Sequence, residues 1–154
     1  MIISFIGHRK IDNHDIIKTA IYEILLSMRL NDDLIFYCGG YGDFDALCAS
    51  VVKELKSVRS NVKSVFVTPY IGQSYNTKLK SILESNLYDE ILYPEIENVP
   101  YKFAISACNK FIVNSSDLII SYVINSWGGA YSSLKHAEKL HKKIIYLPSL
   151  LQDK

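Results

Sequence analysis

The chain has 154 residues, 49% of them hydrophobic, which suits one domain with a sizeable core; the expectation is a single domain over 1–154. The formal net charge is +1, with Lys and Arg spread along the chain, so no global basic field draws it to nucleic acid. No apolar run approaches the roughly 20 residues of a membrane span, and the opening MIISFIGHRK is too briefly apolar for a signal peptide; the expected location is the cytoplasm, with no membrane partner.

Short apolar runs alternate with longer amphipathic stretches. In chain order, the predicted strands are 2–6, 34–38, 64–68, 90–93, 118–123 and 143–147. They are rich in β-branched and aromatic residues and mostly continuous rather than alternating, the mark of parallel strands buried on both faces. The first predicted helix, 14–30, puts Ile17, Ile21, Ile24 and Met28 on one face, with Asn13 or Asp12 as its cap. Helices follow at 45–57, 74–86, 101–114 and 130–141. Strand–helix repetition of this kind predicts an α/β fold: a Rossmann-like, doubly wound, mainly parallel sheet with helices on both faces.

In such sheets the ligand sits beyond the carboxyl ends of the strands. The polar and glycine-bearing loops fall there: GHRK (7–10) after the first strand, GGYGDFD (39–45) after the second, PYIGQ (69–73) after the third and INSWGGAYSS (124–133) after the fifth. Gly7 allows a tight exit from the first strand. Arg9 is a candidate for gripping phosphate or carboxylate, or else a surface partner of an aspartate. His8 is either a ligand contact or a hydrogen-bonded wall residue. Gly39 and Gly40 offer close backbone approach and positive φ. Asp45 is either an N-cap or an acceptor for ribose hydroxyls, and a weak candidate acid; Asp43 reads as its solvated neighbour. Gly128, Gly129, Ala130, Ser132 and Ser133 open the last helix as a phosphate cradle. Trp127 either stacks on a base or covers core. Pro69 and Tyr70 complete the candidate site from the third loop.

Cys38, Cys48 and Cys108 contain no CxxC pair, and the odd count argues against a disulfide framework. They read as small buried hydrophobes. The four histidines show no ligand spacing near them, so neither a metal nor a cofactor is expected.

FIGHR, GGYGDFD, PYIGQ, NKFIVNSSDLIISYV and WGGAYSSLKHA, in that order, resemble the YpsA-like branch of the SLOG superfamily, which also holds the DprA/Smf proteins and the Lonely Guy hydrolases. The resemblance runs from about residue 3 to residue 147. It implies a Rossmann-like fold and a site for a nucleotide or nucleotide-derived ligand, with Asn109 on a ligand-binding position. Three departures stand out. Cys108 occupies the place of the branch's Arg, and Lys135 falls where the PGGxGTxxE motif of Lonely Guy hydrolases has its Glu; Tyr131 falls on that motif's third glycine. An N-glycosidic hydrolase needs such groups to polarise water or stabilise an oxocarbenium-like centre.

The expected function is therefore binding or sensing of an ADP-ribose-type or nucleoside monophosphate ligand, with no assigned catalysis. The alternative is a nucleoside 5′-monophosphate N-glycosidic hydrolase using Asp45 or Asp43 as acid. DNA binding, as in the DprA relatives, is least favoured by the near-neutral charge. A homodimer is expected from the superfamily tendency and the eleven tyrosines.

Overall fold

A computed structural model describes residues 1–29 and 31–152. The described residues form a sheet of six parallel strands: β1 (Ile2–Gly7), β2 (Leu34–Cys38), β3 (Val62–Val67), β4 (Glu90–Leu92), β5 (Leu118–Tyr122) and β6 (Lys143–Tyr146). Between and after them run helices α1 (His14–Leu26), α2 (Asp43–Lys56), α3 (Gln73–Glu84), α4 (Ala104–Ser115), α5 (Gly128–Lys139) and α6 (Leu147–Gln152). A 3-10 turn at Tyr101–Phe103 leads into α4, where the sequence predicts one continuous helix. This is the doubly wound α/β fold expected from the pattern.

The strand order is β4-β3-β2-β1-β5-β6. From β1 the chain winds outward through β2, β3 and β4, then returns to lay β5 against the other side of β1. The switch point therefore lies between β1 and β5, where the loops leaving those strands diverge and open a crevice. Register is continuous across it, from Ile3 opposite Leu118 to Gly7 opposite Tyr122.

Alternation along the strands splits the core in two. Ile3, Phe5 and Phe36 face Ile17, Ile21 and Leu25 of α1, Phe44, Val51 and Leu55 of α2, and Leu147 of α6. On the other face Ile6 and Ile119 meet Val113 of α4 and Leu134 and Ala137 of α5. Each fully buried side chain of this size contributes about 1.5–3 kcal/mol. Among the described residues no helix is long and apolar enough to cross a membrane.

Three local expectations need correction. Asn13 does not cap α1 through its side chain; it sits at φ 57°, and its carbonyl accepts from Ile17 N–H at 3.1 Å. A short polar residue tolerates that left-handed backbone, and the turn leaves its side chain no cap hydrogen bond. Next, α1 stops at Leu26, where Ser27 Oγ donates to the Ile24 carbonyl at 2.7 Å; the predicted last residue, Leu30, lies outside the described residues. The chain beyond α1 is held by buried Arg59, which donates to the carbonyls of Leu25, Met28, Arg29 and Asp32. Finally, α3 forms but buries none of its residues fully, because the three-residue edge strand β4 offers little surface to cover.

Candidate functional site

The loop after β2 is glycine-rich because α2 begins hard against the loop after β1. Asp43 N–H donates to the Arg9 carbonyl at 2.8 Å. Gly42, at φ 121°, approaches so closely that a Cβ there would lie 2.5 Å from Arg9 Cα. Gly40, at φ 72°, lies against the Phe66 ring, and Gly7 lies beneath the Phe44 ring. These glycines serve backbone and ring packing. Gly39 alone in the loop has room for an added Cβ, at ordinary contact distances from Asp45 Oδ2 and Ile112 Cδ1.

Asp45 is the third residue of α2, not its N-cap. Its Oδ2 reaches back and accepts the Tyr41 backbone N–H at 2.7 Å, which ties the turn to the helix. The carboxylate retains some solvent contact while surrounded by protein, and this desolvation raises its pKa; the Tyr41 hydrogen bond and the charge of Arg9 act in the opposite direction. Asp43 is half exposed and lies 4.0 Å from His14 Nε2.

Across the switch point, His8 Nε2 accepts the backbone N–H of Ile124 at 3.0 Å and of Asn125 at 3.2 Å. One imidazole thereby joins the loops after β1 and β5. Those bonds require an unprotonated Nε2, and burial lowers the pKa of His8. Arg9 is exposed beside it, with no ion-pair partner within 4.0 Å among the described residues.

Beyond these ties the crevice widens into a cleft of about 550 Å³. Gly7, His8, Arg9 and Lys10 line it from β1 and its loop, and Gly39, Tyr41 and Asp45 from the β2 side. Ile105, Asn109, Ile112 and Val113 form the α4 wall. Asn125, Trp127, Gly128, Gly129, Ala130 and Ser133 close it from the β5 side. Among the described residues no side chain caps the N-terminus of α5, and neither Gly128 (φ 90°) nor Gly129 has a neighbour within 4 Å of an added Cβ. A glycine pair opening a helix into empty space leaves backbone N–H groups and the positive end of the helix dipole free for an anion. Trp127 is 72% exposed, so it does not cover core.

Residues from three of the four predicted loops thus meet in one cleft. Gly40, Pro69, Tyr70 and Ser132 lie outside its lining. The loop after β3 is two strands from β1, and Tyr70 stacks instead on Tyr101, centroids 4.6 Å apart. Cys108 faces the core, with its thiol 3.7 Å from the Val67 carbonyl and pushed up to about 12 by burial. Lys135 pairs with Glu138 at 2.8 Å, and Glu138 also accepts from Tyr146 Oη at 3.2 Å; neither charged residue lines the cleft. The sequence did not single out Lys10, Tyr41, Ile105, Ile112, Val113 or Asn125. The i, i+4, i+7 spacing of Ile105, Asn109 and Ile112, which places them on one face of α4, was the available signal for that wall.

No protein-family model matches the sequence, and no curated protein matches it. The fold is similar to that of DNA processing protein A from Helicobacter pylori, described for its mode of binding single-stranded DNA, with a TM-score of 0.65 and 18% identity. The match covers 95% of this chain and 64% of that one, so this chain spans less than two thirds of that protein's length. At that identity the likeness establishes the fold.

Proposed function

We propose that the cleft binds a nucleotide or nucleotide-derived anion, of nucleoside monophosphate or ADP-ribose type, in a domain of the YpsA-like branch acting in the cytoplasm as a homodimer. The observation that carries this reading is the convergence on one cleft of Arg9, the uncapped glycine start of α5 and the carboxylate of Asp45. Arg9 and the α5 N-terminus suit phosphate, through a charged fork and free backbone donors. Asp45 suits a ribose diol, whose two hydroxyls both donate to a carboxylate. The two requirements fall on different groups: Asp45 serves the sugar, and Arg9 with the open start of α5 serves the phosphate.

Binding is favoured over glycosidic hydrolysis because Cys108 and Lys135 bring no charge to the cleft wall. A native mass spectrum of the protein as purified, followed by calorimetry with AMP and ADP-ribose, tests the reading. Saturable binding of either, with the ligand recovered intact after incubation, supports it. Recovery of free base and ribose phosphate would move the assignment to the hydrolase.

A second reading is single-stranded DNA binding, suggested by the Helicobacter pylori protein. Phosphate contacts make such binding steeply salt-dependent. Oligonucleotide titrations at two salt concentrations separate it from a mononucleotide site, because a ligand with few phosphates gives a shallow slope.

A further inference from the structure

Next to the cleft, on the β3 side, lies a group of tyrosines drawn from separate segments. Tyr70 follows β3, Tyr75 stands in the first turn of α3, and Tyr101 opens the 3-10 turn. The Tyr70 ring lies 4.9 Å from that of Tyr75 and 4.6 Å from that of Tyr101, and the Tyr75 and Tyr101 hydroxyls are 3.2 Å apart. The stack makes little use of the core: α3 buries no residue fully, and Tyr101 remains 69% exposed. It connects to the cleft through Tyr41, which lines the wall beside Asp45. Tyr41 is half-buried, and its phenol is held protonated first by that burial and then by the neighbouring Tyr70, Cys108, Tyr75 and Tyr101. Lys78 sits over the Tyr41 ring, 5.6 Å from its centroid, and Lys102, next to Tyr101 in sequence, sits over the Phe103 ring, 5.0 Å from its centroid.

Aromatic faces offered to solvent beside lysines are the means by which proteins hold unpaired bases: rings stack and ammonium groups meet the phosphates between them. We infer that the Tyr70–Tyr75–Tyr101 stack, reached from the cleft past Tyr41 and Lys78, is a second base-binding subsite, and that the ligand carries two bases joined through phosphate. This deepens the proposed nucleotide site and rests on it. A stack serving only to fasten α3 would not need its terminal ring exposed. Two ligand types share the required chemistry: a 5′,5′-linked dinucleotide and a short 3′,5′-linked single strand.

The test is calorimetry with AMP, diadenosine diphosphate and short oligothymidylates, on the wild-type protein and on Tyr101→Ala, with thermal melting as a check of the fold. Tyr101 is largely exposed, so the variant is expected to fold. The inference expects a two-base ligand to bind more tightly than AMP, and Tyr101→Ala to weaken that ligand by roughly 5- to 150-fold, the range for loss of one base–aromatic stack, while AMP affinity stays unchanged. Whichever two-base ligand shows this behaviour identifies the linkage. If AMP binds while two-base ligands bind no more tightly, or if Tyr101→Ala leaves them untouched, the second subsite is overturned and the cleft reading stands. If a two-base ligand binds in a Tyr101-dependent way while AMP does not bind, the mononucleotide reading fails and the stack survives. If nothing binds, both are lost.

Discussion

Asp45 carries two tasks that a single substitution separates. Its carboxylate orders the loop through Tyr41 N–H, and on the proposed reading it also accepts from ribose. Asp45→Asn keeps an oxygen for Tyr41 and removes the charge. Losing a hydrogen bond to a charged group costs about 1.5–3 kcal/mol, or roughly 10- to 150-fold in affinity. Calorimetry is expected to show that loss in Asp45→Asn and no comparable loss in Asp43→Asn; equal affinity in wild type and Asp45→Asn would leave Asp45 only its loop-ordering role. Stability should respond as well. Because the folded-state pKa of Asp45 is raised above 3.8, its protonation favours the fold below that pH, and this contribution is lost as pH rises through the raised value. Urea melts should therefore show Asp45→Asn gaining on wild type as pH rises across that window. His8 behaves oppositely. Its folded-state pKa is lowered, so the contribution of its neutral form is present above pH 6.5 and is lost as pH falls through the lowered value. His8→Ala should flatten that acid-side decline, whereas a decline identical to wild type would mean that the bonds to Ile124 and Asn125 contribute nothing measurable.

At the scale of elements, the glycines divide into those the fold needs and those it leaves open. Gly42→Ala places a side chain at φ 121° and drives it into Arg9 Cα, so a loss of about 1–3 kcal/mol or more is expected in thermal or urea melts. Gly129→Ala meets nothing within 4 Å and adds a better helix former, so its melting temperature should equal or exceed that of wild type. If Gly129→Ala melts far below wild type, the open start of α5 is misdescribed. The sequence did not distinguish these two kinds of glycine. GGYG and WGG look alike as strings, and only the approach of α2 to Arg9 and the emptiness around α5 separate them. Helix boundaries were readable to within a few residues where an apolar face met the sheet, as with Ile17 and Ile21 near the start of α1. They were less so where a long-range contact decided the end: Arg59 holds the chain around the end of α1 from 27 or more positions away in sequence, beyond the reach of local pattern.

At the scale of the whole molecule, continuous apolar runs were enough to foretell a parallel doubly wound sheet, since a strand buried on both faces has no polar side to show. The strand order was not legible, and it decides which loops can share a ligand. With β5 beside β1, the loops at 7–10 and 124–133 meet, whereas the loop at 69–73 is carried two strands away to its own tyrosine stack. The central claim, that the switch-point cleft takes a nucleotide-derived anion through Arg9, has a built-in reporter. Trp127 is the chain's sole tryptophan, and it lines the cleft largely exposed. Its emission should change saturably as AMP or ADP-ribose is added. In Arg9→Gln, which loses a charge with no ion-pair partner among the described residues, that change should vanish or shift to much higher concentration while the melting temperature holds. Emission that stays flat with both ligands, or a response unaltered in Arg9→Gln, would contradict the account.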